Sequence, residues 1–180
     1  MMNVKMPRRE TRGTTRQKNE QMVRVQRTLQ MPIRTDGARK EDVRTQFAAL
    51  CWRERKGEVQ VLLVTSRDSG RWVLPKGWPI DGLTPAEAAL REAWEEAGVR
   101  GRASEVVAGL FSYRKAMDDE DWLPCVVAVF PVEVKDLAGT YPESEERRRK
   151  WFAPKKAAQK VREPELREIL RRFVPPRTRH

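Results

Sequence analysis

The sequence predicts an α/β domain in which a helix packs on a mixed sheet. Three observations lead there. Apolar, β-branched runs of strand length lie on both sides of one strongly marked helix. That helix, inside residues 84–98, has a start signal and a stop signal. Further helical segments follow the last strand, an order that suits helices layered on a sheet.

In chain order, Arg44 to Arg53 (RTQFAALCWR) is apolar enough for a buried strand, and a turn at Glu54 to Gly57 leads to a second, Glu58–Ser66 (EVQVLLVTS). The two read as a hairpin or as neighbours in one sheet. A polar turn, Arg67 to Arg71, precedes a short strand at Trp72–Leu74, and Pro75-Lys76-Gly77 turns the chain toward the helix. Two more strands are expected at Glu105–Arg114 and Leu123–Val134, joined by an acidic loop, Lys115–Trp122. The segment Ser144–Phe152 ends in a short strand or bend. Pro154–Val161 and Glu163–Phe173 read as closing helices, interrupted by Pro164.

The helix is the best-specified element. Thr84 can N-cap it, Pro85 takes the first helical position, and Glu87 completes a capping box. Gly98 suits a left-handed stop. Ala86, Ala89, Leu90, Ala93 and Ala97 share one side at helical spacing, and their small size lets the helix sit close to the layer beneath. Glu92 and Glu96, four apart, are neighbours flanked by Glu95, and Arg91 can reach both Glu87 and Glu95. Taken alone, such a ledge also fits a solvated helix with ordinary ion pairs. Carboxylates on a rigid helix after a glycine-containing turn equally suit a hard cation such as Mg²⁺, which takes oxygen ligands and substrate phosphates.

Composition narrows the class. The chain of 180 residues is long enough for one domain plus extensions. Cys51 and Cys125 lie in strand-like runs and read as buried thiols of a reducing, cytoplasmic compartment. The only histidine is His180, which excludes a histidine-built zinc site and Ser–His nucleophile activation. Apolar runs fall short of the ~20 residues of a membrane span, so a soluble protein is expected.

The net charge of +11 is concentrated at the start: residues 1–40 hold 11 Lys and Arg against 3 Asp and Glu. With few large apolar residues and no sustained period, this arm reads as largely disordered. It suits RNA or another polyanion, and equally a solubilising tail or an over-extended translation start; its arginines also fit a transit peptide, but it lacks a convincing amphipathic helix. The division expected is a basic arm at 1–40, a folded domain at 41–174 and a tail at 175–180.

Gly77, thirteen residues, then Arg91-Glu92-Ala93-Trp94-Glu95-Glu96-Ala97-Gly98-Val99 resembles the Nudix box, GX5EX7REUXEEXGU with U apolar. One position departs, with Leu83 where the pattern has its first glutamate. The resemblance implies an α/β/α sandwich over roughly 42–173, with Mg²⁺ or Mn²⁺ as cofactor. It assigns Glu92, Glu96 and the backbone carbonyl of Lys76 as metal ligands. Glu95 is a further ligand or the base for the attacking water, and Arg91 orients the carboxylates. Some Nudix enzymes take the base from a later loop, which keeps Glu120, Glu143, Glu145 and Glu146 as candidates.

The runs VLLVTSRDSGRWVLPKG, GLFSYRK and KWFAP are similar to the diphosphoinositol polyphosphate phosphohydrolase branch, which also cleaves diadenosine polyphosphates. Pro75-Lys76-Gly77-Trp78 replaces that branch's Gly-rich turn. The cations Arg67, Arg71, Lys76, Arg114 and Lys115, with Arg44 as a weaker addition, bracket the box and suit a heavily phosphorylated small molecule. Trp72 reads as core, and Trp78 as core or as a stacking surface. Two other readings stand beside this one: a pyrophosphohydrolase of RNA 5′ ends, suggested by the basic arm, and a binding-only Nudix module, suggested by Leu83.

Overall fold

The computed structural model describes residues 30, 32–33, 39, 42–116 and 122–176. The acidic loop residues 118–121, Glu120 among them, and most of the basic arm lie outside them. The arm's Gln30 is described: its side chain accepts from the Leu110 N–H at 2.6 Å and donates to the Leu110 carbonyl at 2.8 Å.

Among the described residues, eight strands form one mixed sheet. β1 (Arg44–Arg55), β2 (Glu58–Thr65) and β3 (Trp72–Val73) follow one another, and β4 (Lys76–Gly77) leads into α1 (Pro85–Ala97). After the helix come β5 (Val99–Ala103), β6 (Gly109–Ala116), β7 (Trp122–Leu137) and β8 (Arg149–Phe152), then α2 (Pro154–Ala158) and α3 (Pro164–Arg172). The main strand order is β3-β2-β1-β7-β5, with β4 on β1, β6 on β7 and β8 on β2. Among these described strands only β1 and β7 pair in parallel, from Arg44 opposite Cys125 to Trp52 opposite Glu133. Between β1 and β2 the turn uses Lys56 and Gly57, both at positive φ, as a tight hairpin needs.

Both faces of the sheet are covered, and strand alternation sorts the core into two layers. Ala48, Leu50, Val61, Leu63, Val127 and Val129 face one layer, which α2 and α3 close with Ala157, Leu166 and Leu170. Ala49, Cys51, Leu62, Val64, Phe130 and Val132 face the other, closed by Ala86, Ala89, Ala93 and Ala97 of α1. Helix layers on both sides of a mixed sheet give the α/β/α sandwich. Trp72 is core: its ring meets that of Phe152 edge-on at 5.3 Å.

Several expectations change. Pro75-Lys76-Gly77 is more than a turn, because Lys76 and Gly77 pair with Ala48 and Phe47 of β1. The strand expected from Glu105 begins at Gly109. β5 was not foreseen: VRGRA alternates polar and apolar residues too weakly, and its ladder slips between Arg100 and Gly101. Pro164 starts α3 at its first position instead of interrupting a helix.

Candidate active site

α1 is built as its sequence specifies. Thr84 Oγ1 accepts from the Glu87 N–H at 3.2 Å, and the Glu87 carboxylate accepts from the Thr84 N–H at 2.8 Å. Those bonds hold the Glu87 carboxyl below its usual range. Glu87 is thus committed to the cap, and Arg91 pairs instead with Glu95, its Nε donating at 2.5 Å. Arg91 does not bridge Glu87 and Glu95 as the spacing suggested. At the other end Gly98 adopts φ 63°, ψ 25°, and its N–H reaches the Ala93 and Trp94 carbonyls.

The alanine face brings α1 against β1 and β4, which sets two carboxylates into the domain. Glu96 is 5% exposed. Its Oε1 accepts from Arg147 Nη2 at 2.7 Å, whereas Oε2 is buried without a partner. Burial, the largest influence, outweighs the nearby Arg147 and Lys76 charges and pushes this carboxyl up to about 7. Glu92, half-buried, is also raised, first by desolvation and then by the charges of Glu95 and Glu143. Its carboxylate rests against Gly77: a Cβ there would overlap Glu92 Oε1 and its carboxyl carbon, so only glycine permits this approach.

The remaining carboxylates divide. Glu95, turned toward Arg91, receives the Glu143 N–H on its backbone carbonyl at 3.0 Å. Glu143 accepts from Arg147 Nε and lies 3.6 Å from Arg67 Nη1. Its charge raises both Glu92 and Glu96, which puts it beside the ledge. Glu146 faces Arg67 at 3.5 Å, and Glu145 is exposed. Among the described residues no three Asp, Glu, Cys or His side chains gather as a metal cluster. What the fold offers is Glu92 and Glu96 beside the Lys76–Gly77 turn. A buried oxygen without a partner and a carboxylate seated against bare backbone fit a hard cation that takes one or two carboxylates and completes its shell with water and phosphate.

The cations also divide. Lys76 is half-buried, its Nζ 5.2 Å from the centre of the Tyr113 ring. Desolvation lowers its ammonium, while the Glu96 charge opposes that shift. Arg71 lies within electrostatic reach of Lys76 and bonds Glu163 at 3.1 Å. Lys115 Nζ stands 4.7 Å from the Trp78 ring, whose residue is exposed. Lys115, Lys76 and Arg44 all act electrostatically on Cys125, so they border one region. Arg114, exposed, falls on the alternate face of β6 from Tyr113 and Lys115. Arg67 is apart from this group, held by Glu143 and Glu146.

Sequence spacing missed Arg147. Its side chain is 8% exposed, and it bonds Glu96, Glu143 and the Thr65 carbonyl. Nothing local separates it from Arg148 and Arg149 in the run ERRRKWF. Yet Arg149 goes elsewhere, to the Ala97 carbonyl at 2.5 Å and the Ala138 carbonyl at 2.8 Å.

Helix layers on both faces of a mixed sheet, with a glycine strand seated on a helix that carries one buried and one half-buried carboxylate, define a domain that presents acidic oxygens beside cations. The NUDIX domain pattern matches residues 43–173, and the chain belongs to the Nudix family. It is 34% identical to Nudix hydrolase 16, mitochondrial, of Arabidopsis thaliana over 115 residues, 62% of this chain and 63% of that protein. It is 30% identical to diphosphoinositol polyphosphate phosphohydrolase 3-alpha of Mus musculus over 114 residues, 62% and 65% of the two chains. The chain thus spans just under two thirds of the length of these relatives. The fold is similar to that of a C. elegans Ap4A hydrolase, with TM-score 0.56 and 20% identity over 71% of this chain and 93% of that one. No described helix is long and apolar enough to cross a membrane.

Proposed function

We propose that the chain is a metal-dependent hydrolase of phosphoanhydride bonds in a heavily phosphorylated small molecule, such as a dinucleoside polyphosphate or a diphosphoinositol polyphosphate. The observation that carries this reading is the partnerless Glu96 Oε2, buried beside Glu92 and the Gly77 turn. Glu92, Glu96 and the Lys76 carbonyl would hold Mg²⁺ or Mn²⁺, with Glu95 within reach on the same helix. When bound, such a cation neutralises phosphate oxygens and makes a coordinated water more acidic. The relative named for diphosphoinositol polyphosphate hydrolysis supports this substrate class.

The chain's own residues supply the rest. Lys76, beside the ledge, would receive phosphate oxygens, with Lys115 and Arg44 extending the cationic border, whereas Arg71 would join only by leaving Glu163. Glu143 is the base candidate best placed to accept a proton from an attacking water, since it borders the ledge through both its N–H and its charge. Arg67 would join only by leaving Glu143 and Glu146. Cys51 and Cys125 are buried and unpaired, which supports a reducing compartment. The test is a panel of nucleoside diphosphates, diadenosine tetraphosphate, a diphosphoinositol polyphosphate and triphosphorylated RNA, each with Mg²⁺, Mn²⁺ and EDTA. Metal-dependent release of phosphate or nucleotide from the long-chain substrates is expected. Undiminished turnover after rigorous metal removal would sink the mechanism.

A further inference from the structure

The fold gives the carboxylate ledge two arginines, and they are not equivalent. Arg91 is 58% exposed and, among the described residues, holds only Glu95, itself 34% exposed. An exposed pair of this kind fixes little, because both side chains exchange with water. Arg147 sits at the opposite extreme, its guanidinium buried and its donors divided among three elements. Nη2 donates to Glu96 of α1 at 2.7 Å, Nη1 to the Thr65 carbonyl at the end of β2 at 3.0 Å, and Nε to Glu143 in the segment before β8. The following residue locks the same place, since the Arg148 N–H donates to Thr65 Oγ1 and the Thr65 N–H to the Arg148 carbonyl. Glu143 is fastened again by its own N–H on the Glu95 carbonyl.

A planar fork held at three corners has one orientation. We infer that Arg147 is the positioning residue of the site: it fixes one oxygen of Glu96 so that the partnerless second oxygen stays available, and it holds Glu143 at the same ledge. The inference rests on the reading of Glu92 and Glu96 as a metal-holding pair. It transfers the orienting role from Arg91 to a residue 51 positions from Glu96 in sequence. Arg147 contacts no substrate in this scheme and acts only through the two carboxylates.

The sign of one measurement separates this role from a bland one. A cation beside a divalent ion repels it, so if Arg147 were only a nearby charge, its removal would tighten metal binding. If Arg147 positions Glu96, removal lets that carboxylate leave its rotamer, and metal binding weakens. Mn²⁺ binding to the full chain would be followed by calorimetry without substrate, with circular dichroism reporting the fold. Arg147→Met is expected to raise the Mn²⁺ Kd at least tenfold, and in a Glu96→Gln background to change it less than twofold. Hydrolysis of a tetraphosphate substrate should show a kcat reduced about tenfold or more with KM within threefold.

A folded Arg147→Met chain with unchanged or tighter Mn²⁺ binding overturns the inference, as does a full further loss in the Glu96→Gln background. Should Arg147→Met not fold, Arg147→Lys keeps the charge but not the three-cornered fork, and a Kd at least threefold weaker is expected. An unchanged Kd in that variant is equally fatal. A wild-type chain that binds no Mn²⁺ overturns the metal-holding reading as well, so the two failures are distinct.

Discussion

Each face of the sheet carries a buried glutamate bonded to an arginine from a distant segment, and only one of the two pairs is complete. On the α3 side Glu163 meets Arg71 at 3.1 Å, with side chains 9% and 25% exposed. On the α1 side Glu96 meets Arg147 at 2.7 Å, with 7% and 8% exposed. Among the described residues Glu96 Oε2 is the one buried side-chain acceptor left without a partner. Buried polar groups are almost always satisfied, because an unmade bond in the interior costs the desolvation of the group. The α3 pair follows that rule and the α1 pair breaks it. The difference teaches that burial alone does not mark a functional pair. The mark is an acceptor that the fold desolvates and then does not use.

The largest effects should fall on the incomplete pair. Glu96→Gln removes charge with little change of shape, and kcat should fall at least about a hundredfold with the circular dichroism spectrum unchanged. Glu163→Gln serves as the contrast. It should cost about 1–3 kcal/mol of stability through a weakened charged hydrogen bond, and change kcat less than tenfold. Steady-state kinetics on the two variants side by side decides between the readings. Equal losses would show that both pairs serve the reaction, and equal retention would return α1 to the role of a structural helix.

Next in size are the cations between the two pairs. Lys76 feels the charges of Glu96, Arg71, Arg147 and Glu163, so it stands between both sites. Lys76→Met should lower kcat/KM for a tetraphosphate by about 1–3 kcal/mol, the range of a charge-assisted contact, and lower it less for a diphosphate. Arg67→Ala, already tied to Glu143 and Glu146, should cost less than threefold in the same assay. The reverse ranking would move the phosphate site to the Glu143 side of the ledge.

The contrast between the pairs also explains what could be read from the sequence. The capping box, the alanine face and the Gly98 stop were legible because each is set by contacts within four residues. Glu92 and Glu96 were legible for the same reason, as neighbours on one helix face. Arg147 was not, because its three partners come from β2, α1 and a loop, and no periodicity encodes such convergence. The Arg71–Glu163 pair was hidden too: Arg71 looked like a free phosphate ligand until the chain folded Glu163 onto it, 92 residues away. β5 escaped because a glycine and two arginines in five residues dilute any strand signal. Its strand character comes from pairing with β7, a tertiary fact.

A separate effect lies in the metal-free protein, where the unused oxygen should appear as pH-dependent stability. Glu96 in the folded chain is raised to about 7 from an ordinary 4.5. Between those values the native state keeps the proton that the unfolded state has released, so stability must fall as pH rises through that window. Below it both states are protonated and above it both are ionised, and the contribution levels off. The full loss is on the order of 3–4 kcal/mol from Glu96, with the raised Glu92 adding in the same direction. For a chain of this length the melting temperature should drop by about 7–14 °C between the two ends of the window. Glu96→Gln removes the titration, so in EDTA this variant should be more stable than wild type at pH 8 and should show a flatter profile. Adding Mn²⁺ at pH 8 should restore the wild-type chain and leave the variant nearly unmoved. A wild-type profile flat from pH 4.5 to 8, or a variant that melts earlier at pH 8, would mean that Glu96 is already satisfied without a metal.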